Sequence, residues 1–305
     1  MKYEYRLYKI SFTAPVHFGT GVLNESAVSF CADTLFSALY IEALKLDLAD
    51  QLYNMVKDDQ LLISDAFPYI GKRYFLPKPM LYVEPSKQGD SSEKKRYKKI
   101  KYIPVGELQH FFSGDLDPEV CSLQALGKEY SQVMIAVRRK EEDALPYRVG
   151  NFLFSEGCGL YIIAAIEKEE GRMLLEELLE SLSYSGIGGK RGSGKGRFVL
   201  KHGKMDATLQ VMLERESDRC MLISSALPKE HELEKALKGA SYLIQKRSGF
   251  VYSANYADEE MKKRDLYTMQ AGSCFKQRFS GAVYDVSEGG NHAVYRYAKG
   301  MFLGV

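Results

Sequence analysis

Six of the eleven residues from Gly186 to Gly196 are glycine. No helix or strand interior accommodates that density, since each glycine there costs about 0.5–1 kcal/mol relative to alanine. The stretch therefore dictates a loop, ending one element and starting another. Upstream, Leu174, Leu175, Leu178, Leu179 and Leu182 recur at helical spacing, which predicts a helix over 172–183 that stops at the loop. Downstream, Arg197 to Lys201 reads as a strand. Lys190, Arg191, Lys195 and Arg197 sit among and beside the glycines, and no acid appears until Asp206. Cations on a permissive backbone suit phosphate, because main-chain N–H groups can approach the anion while side chains neutralise it. Gly188, Gly189, Lys190, Arg191, Gly192, Ser193, Gly194 and Lys195 are the first candidate residues for contact with a phosphate backbone.

Two phosphate motifs are excluded. A P-loop fits from Gly189 to Lys195, but Gly196 stands where the magnesium-binding Ser or Thr belongs. A dinucleotide fingerprint starting at Gly186 needs glycine where Arg191 stands. Nucleotide hydrolysis is disfavoured accordingly.

The 305 residues carry a net charge of +2, unevenly spread. Residues 87–101 hold seven bases and two acids, and residues 186–204 hold six bases and no acid. Together they carry +11, so the remainder carries −9. An acidic body with two basic segments predicts local contact with a polyanion. The segment 86–99 is expected to be a mobile, solvated linker, because its composition buries too little apolar surface to offset ordering. The five cysteines are scattered without a C-x-x-C pair, which excludes a zinc ribbon or a disulfide framework and suggests reduced cytoplasmic thiols. Met-Lys-Tyr-Glu-Tyr-Arg lacks an apolar signal core, and no run approaches a bilayer span. No metal, cofactor or membrane partner is expected.

The order of elements suggests an α+β fold. Tyr8 to Thr13 alternates as a half-buried strand, and Thr34 to about Asp47 carries one apolar stripe, with Asp33 placed to cap that helix. Residues 61–83 read as short strands and turns, Gln132 to Val137 and Leu160 to Ile166 as strands. Strand, helix, strands, helix, glycine loop and strand suit a ferredoxin-like sheet over 1–203, with an irregular insertion at about 84–146. A second unit over 204–305 has a strand at Cys220–Ala226, a helix between Pro228 and Gly239, a strand at Ser241–Gln245, and a hairpin turning at Glu288–Asn291.

His17 is a candidate general acid or base by its near-neutral reference pKa, but no companion group is visible near it. Arg138, Arg139, Lys140 and Arg148 flank a strand-rich region and can follow a phosphate backbone. Lys246 and Arg247, with Gly249, make a weaker basic site. Tyrosines and phenylalanines total 36; some are available to stack on unpaired bases.

Three segments together resemble the RAMP superfamily of CRISPR proteins: Pro15-Val-His-Phe-Gly-Thr-Gly21, Ala32-Asp-Thr-Leu-Phe-Ser-Ala-Leu39 and the glycine loop 186–198. With the ending Gly290–Tyr297 and Gly300–Val305, they are similar to the fourth-subunit family of type III-A Csm complexes, in the Cas-five-like group. The resemblance implies two tandem ferredoxin-like (RRM-like) domains, 1–203 and 204–305. It implies a non-catalytic, cytoplasmic subunit gripping the 5′ repeat-derived handle of CRISPR RNA. Its partners would be a large polymerase-like subunit and a repeating backbone subunit. His17, Phe18, Gly19, Thr20 and Gly21 would then lie beside the glycine loop as RNA contacts. Target-RNA cleavage in such complexes is attributed to an aspartate of the backbone subunit, a role not carried over to Asp33. The superfamily's RNA-processing nucleases use histidine, so a Cas-six-like endoribonuclease built on His17 is the competing class.

Overall fold

The computed structural model describes residues 3–86, 91–136 and 145–305. In chain order it contains β1 (Glu4–Phe12), α1 (Ala32–Lys45), α2 (Ala49–Lys57), β2 (Leu61–Ile63), β3 (Phe67–Ile70), β4 (Arg73–Pro77), α3 (Ser91–Lys99), β5 (Tyr102–Pro104) and α4 (Leu108–Ser113). Next come β6 (Gly127–Ala136), β7 (Leu145–Phe154), β8 (Cys158–Ile166), α5 (Glu169–Ser185), β9 (Phe198–Gly203) and α6 (Ala207–Glu214). The last part holds β10 (Cys220–Leu222), α7 (Glu230–Leu237), β11 (Ile244–Arg247), β12 (Leu266–Met269), β13 (Cys274–Phe275), β14 (Gly281–Asp285), β15 (Tyr295–Lys299) and β16 (Phe302–Gly304).

β8 is buried at every position, as its unbroken apolar run requires. It pairs antiparallel with β1 on one side and with β2 and β3 on the other, while β9 closes the far edge of β1. The order β3–β8–β1–β9, with helices after the first and third strands of the motif, is the ferredoxin-like pattern. β4 and β5 extend its edge. β2 and β3 amount to one strand interrupted at Asp65 and Ala66, where the backbone turns from β8 to bond Ile223 and Phe30. Such a break re-aims side chains, and Asp65 uses it to reach α1.

The leucine face of α5 and the stripe of α1 bury one side of this sheet, with Leu35, Leu39, Leu178 and Leu182 almost fully enclosed. The other side is covered by the chain's second half: Leu209, Leu213, Met221, Ile223, Met301 and Leu303 pack with Leu7, Tyr161 and Ile163 in one cluster. The halves therefore share a core. Over 204–305 the strands do not gather into one sheet: β10 lies between β13 and β16, and β11–β12 and β14–β15 are separate hairpins. The latter hairpin forms as its Glu288–Asn291 turn signal predicts. It lies on α1 and α2, with Tyr297 beside Phe36 and Tyr295 stacked on Tyr53 at 4.3 Å.

Two expectations are corrected. Residues 91–99 of the basic segment form a helix, not a linker, because Tyr97 anchors it: the ring stacks on Phe111, and Lys78 Nζ sits 4.0 Å from its centre. Arg96 adds an ion pair with Glu119 at 2.5 Å. Asp33 is not the cap of α1. It lies within the first turn, and the N–H of Ala32 donates instead to Asp65 Oδ1 at 2.7 Å. A carboxylate 33 residues along the chain satisfies the helix end.

Candidate nucleic-acid interface

The glycine loop leaves α5 through Gly186, whose N–H bonds Leu182 O at 2.7 Å, and folds back on itself through Ile187 N to Gly196 O at 3.0 Å. It is sewn to the segment between β1 and α1. Gly189 N donates to His17 O at 2.8 Å, and Gly196 N to Pro15 O at 2.9 Å. Gly188 has φ +101°, and a Cβ there would sit 2.7 Å from His17 O. A Cβ on Gly189 would lie 2.7 Å from His17 Cδ2. The glycines thus admit a close backbone approach, and several N–H groups expected to hold phosphate already serve protein carbonyls. Ser193 N and Gly194 N bond Lys190 O and Arg191 O, and Ser193 Oγ also donates to Lys190 O. Gly192 and Gly194 face open space.

The loop's cations differ in availability. Lys195 is buried and donates to Gln132 Oε1 on β6 at 2.7 Å, and burial pushes its pKa down. It is a strut beneath the loop. Lys190, at φ +58°, donates to the Tyr147 hydroxyl at 3.3 Å and lies 4.9 Å from that ring's centre. Arg191 reaches across to Tyr252 of the second half, 5.1 Å from its ring centre.

His17 is buried, and Nδ1 stands 2.7 Å from the carbonyl of Gly150 on β7. Phe18 is core, edge-on to Phe12 and Phe30. Gly19, Thr20 and Gly21 are exposed, and Gly19 borders the cleft described next. Arg148 is exposed on β7, away from that cleft's lining. Arg138, Arg139 and Lys140 lie outside the described residues.

Between the glycine loop, the N-terminal end of α1 and the segment 243–252 runs an open cleft of about 1260 Å³. Six bases line it, Lys78, Lys101, Arg191, Arg247, Lys263 and Arg296, against two acids, Asp33 and Asp65. Exposed rings stand in its lining: Tyr82, Phe250 and Tyr252, the last 75% exposed. A positive groove with unpacked aromatic faces is the arrangement that holds single-stranded nucleic acid, phosphates on cations and bases on rings. Sequence reasoning missed this wall, although Phe250 and Tyr252 closely follow Lys246 and Arg247 in the chain.

A buried ion cluster supports the cleft floor. Asp33 accepts from Arg247 through Nε at 2.9 Å and Nη2 at 2.7 Å, and from Arg296 Nη1 at 2.6 Å. Burial works to raise its carboxyl, but the guanidinium of Arg247 and then that of Arg296 prevail and hold it below the usual range. Asp65 accepts from Ala32 N, Ser225 N and Ser225 Oγ at 2.7, 2.7 and 2.8 Å, tying α1 to the second half. Burial outweighs those bonds and pushes Asp65 up to about 6. Arg247 is therefore largely neutralised by Asp33, and Lys246 pairs on the surface with Asp265 at 2.7 Å. Among the described residues, no three His, Cys, Asp or Glu side chains converge as a metal site.

Comparisons with known proteins agree with this architecture. Residues 215–305 match the family model of the CRISPR Csm4 C-terminal domain. A protein from Mycobacterium tuberculosis described as CRISPR system Cms protein Csm4 is 40% identical over 301 residues, covering 98% of this chain and 97% of its own length. The chain belongs to the Csm4 family. A Streptococcus thermophilus Csm4 is 35% identical and covers 98% of each chain. Two solved Csm4-containing assemblies include chains with this fold. A chain of the Csm3–Csm4 subcomplex from the type III-A CRISPR-Cas interference complex aligns at TM-score 0.68 and 16% identity, covering 98% and 99% of the two chains. A chain of a Csm1–Csm4 cassette in complex with cA4 aligns at TM-score 0.64 and 20% identity, covering 99% and 97%. The described Csm4 fold contains no helix long and apolar enough to cross a membrane.

Proposed function

We propose that this chain is a non-catalytic, RNA-binding subunit of a cytoplasmic type III-A CRISPR ribonucleoprotein. It grips the 5′ repeat-derived handle of the CRISPR RNA in the cleft between the glycine loop and segment 243–252. It seats the large polymerase-like subunit and the repeating backbone subunit on its outer surfaces. The observation that carries the reading is the cleft's composition: an excess of bases over acids in its lining and exposed rings of Phe250 and Tyr252 on one wall. Arg191 and Lys263 offer charge to phosphates, while Gly19, Gly188 and Gly189 form the lip. That relatives occur in assemblies with Csm3 and with Csm1 supports the partner roles.

The processing-nuclease alternative asks His17 to exchange protons with RNA. Its burial, and the hold of the Gly150 carbonyl on Nδ1, favour a structural role. The test pairs the isolated protein with labelled repeat RNA. Binding without cleavage is expected, with Phe250→Ala and Tyr252→Ala each weakening it by about 1–3 kcal/mol if a base stacks there. Cleavage by the lone wild-type chain, abolished in His17→Ala, would replace this reading with the nuclease.

A further inference from the structure

α3 is a basic helix, and among the described residues no ion pair answers its lysines. Lys94, Lys95, Lys98 and Lys99 are all exposed, whereas Arg96 pairs with Glu119. Lys94 faces Lys98 and Lys95 faces Lys99 at i,i+4 spacing, where like charges oppose helix formation. The negative end of the helix dipole compensates for bases in the last turn, but not for Lys94 and Lys95. The repulsion is tolerated because Tyr97 pins the helix to Phe111 and Lys78. At about 100° per residue, Lys95 and Lys99 project some 160° around the axis from Tyr97, hence outward.

The helix also abuts the cleft. Lys78 Nζ donates to Tyr97 O at 2.9 Å, and Lys78 N to Lys101 O at 2.9 Å. Lys78, Ile100, Lys101 and Tyr102 all line the cleft. Positive charge thus runs from Arg191 across the cleft, through Lys78 and Lys101, onto the outer face of α3.

We infer that α3 is a second RNA-binding element, a phosphate track that holds the strand where it leaves the cleft. This rests on the cleft being the RNA interface. The occupant is a single-stranded RNA backbone, because the helix offers separated charges and no exposed ring to read bases. Binding along it is sequence-independent and salt-sensitive.

The experiment measures binding of two oligoribonucleotides, about 6 and about 20 nucleotides long, spanning and exceeding a typical single-strand site. The full chain is compared with a variant carrying Lys94→Gln, Lys95→Gln, Lys98→Gln and Lys99→Gln, and with Lys95→Glu/Lys99→Glu. Thermal melts establish that each variant is folded. For the long RNA, the quadruple variant is expected to lower the log–log salt slope by up to about 3, at roughly 0.7 per lost phosphate contact. The short RNA should bind unchanged, and the charge reversal should weaken only the long one. Equal loss on both RNAs, or no loss on either, overturns the track while leaving the cleft reading intact. Retained RNA affinity with loss of a partner subunit from the assembled complex makes α3 a protein-docking surface and also overturns it. Wild-type protein that binds neither RNA removes both readings.

Discussion

Asp33→Asn separates two accounts of one residue. As a helix cap, its loss would cost about 1 kcal/mol. As the shared counter-ion of Arg247 and Arg296, its loss strands two guanidinium groups at the cleft floor. Arg296 is 6% exposed and already carries a buried Nε without an acceptor among the described residues. Removing one partner of a buried ion pair typically costs about 3–5 kcal/mol. At about 2–4 °C per kcal/mol for a chain approaching this size, Tm should fall by roughly 6–20 °C. The sign of the pH dependence follows from the depressed carboxyl of Asp33. Its stabilising contribution is fully present above its unfolded value of about 4 and is lost as pH falls through the lower folded value. The gap between wild type and variant should therefore be widest near neutrality and shrink below pH about 4. Differential scanning calorimetry across pH measures both quantities. Adding Arg296→Gln to Asp33→Asn should cost less than the sum of the singles, since one of the two stranded charges is then gone. A loss near 1 kcal/mol, indifferent to pH and additive with Arg296→Gln, would refute the ion cluster.

Asp65 should act in a different window. Its folded value of about 6 lies above the ordinary 3.8, so the folded state binds the extra proton between them and stability falls as pH rises through that range. Asp65→Asn should flatten this limb, by on the order of 3 kcal/mol, in melts run from pH 4 to 7. Within the glycine loop, Arg191→Ala should lower the RNA salt slope by about 0.7, whereas Lys195→Ala should reduce stability and leave the slope alone. Gly188→Val should be more damaging than Gly194→Val by circular dichroism melts. The former meets His17 O at 2.7 Å, whereas the latter carries only the penalty of φ +81°, about 1–2 kcal/mol.

Elements whose cause is local were legible. The leucine spacing of 174–182 and the apolar run 160–166 became α5 and β8 because burial on one face or both leaves a periodic trace. The Glu288–Asn291 turn likewise announced its hairpin. What escaped has distant causes. The charges of 94–99 read as a solvated linker, since nothing nearby reveals that Tyr97 has Phe111 to rest on. Asp33 read as a cap because its true partners lie 214 and 263 residues away. In the glycine loop, placement beside the His17 segment was legible. The burial of Lys195 was not, because it depends on Gln132 of a hairpin whose register no local pattern specifies.

The shared core bears on how the chain matures. One face of the ferredoxin-like sheet is roofed by Leu209, Met221, Met301 and Leu303, and β16 completes its own small sheet by pairing with β10. During synthesis the first half emerges with that face bare, awaiting residues that leave the ribosome later. Domains ordinarily fold in succession as they appear; here Leu7, Tyr161 and Ile163 must be kept from strangers until Met301 arrives. A ribosome that stalls within the final hairpin would release a chain with an open apolar floor, fit for a chaperone or a protease and unfit for assembly. Such an arrangement makes completion of the second half a condition for closing the first.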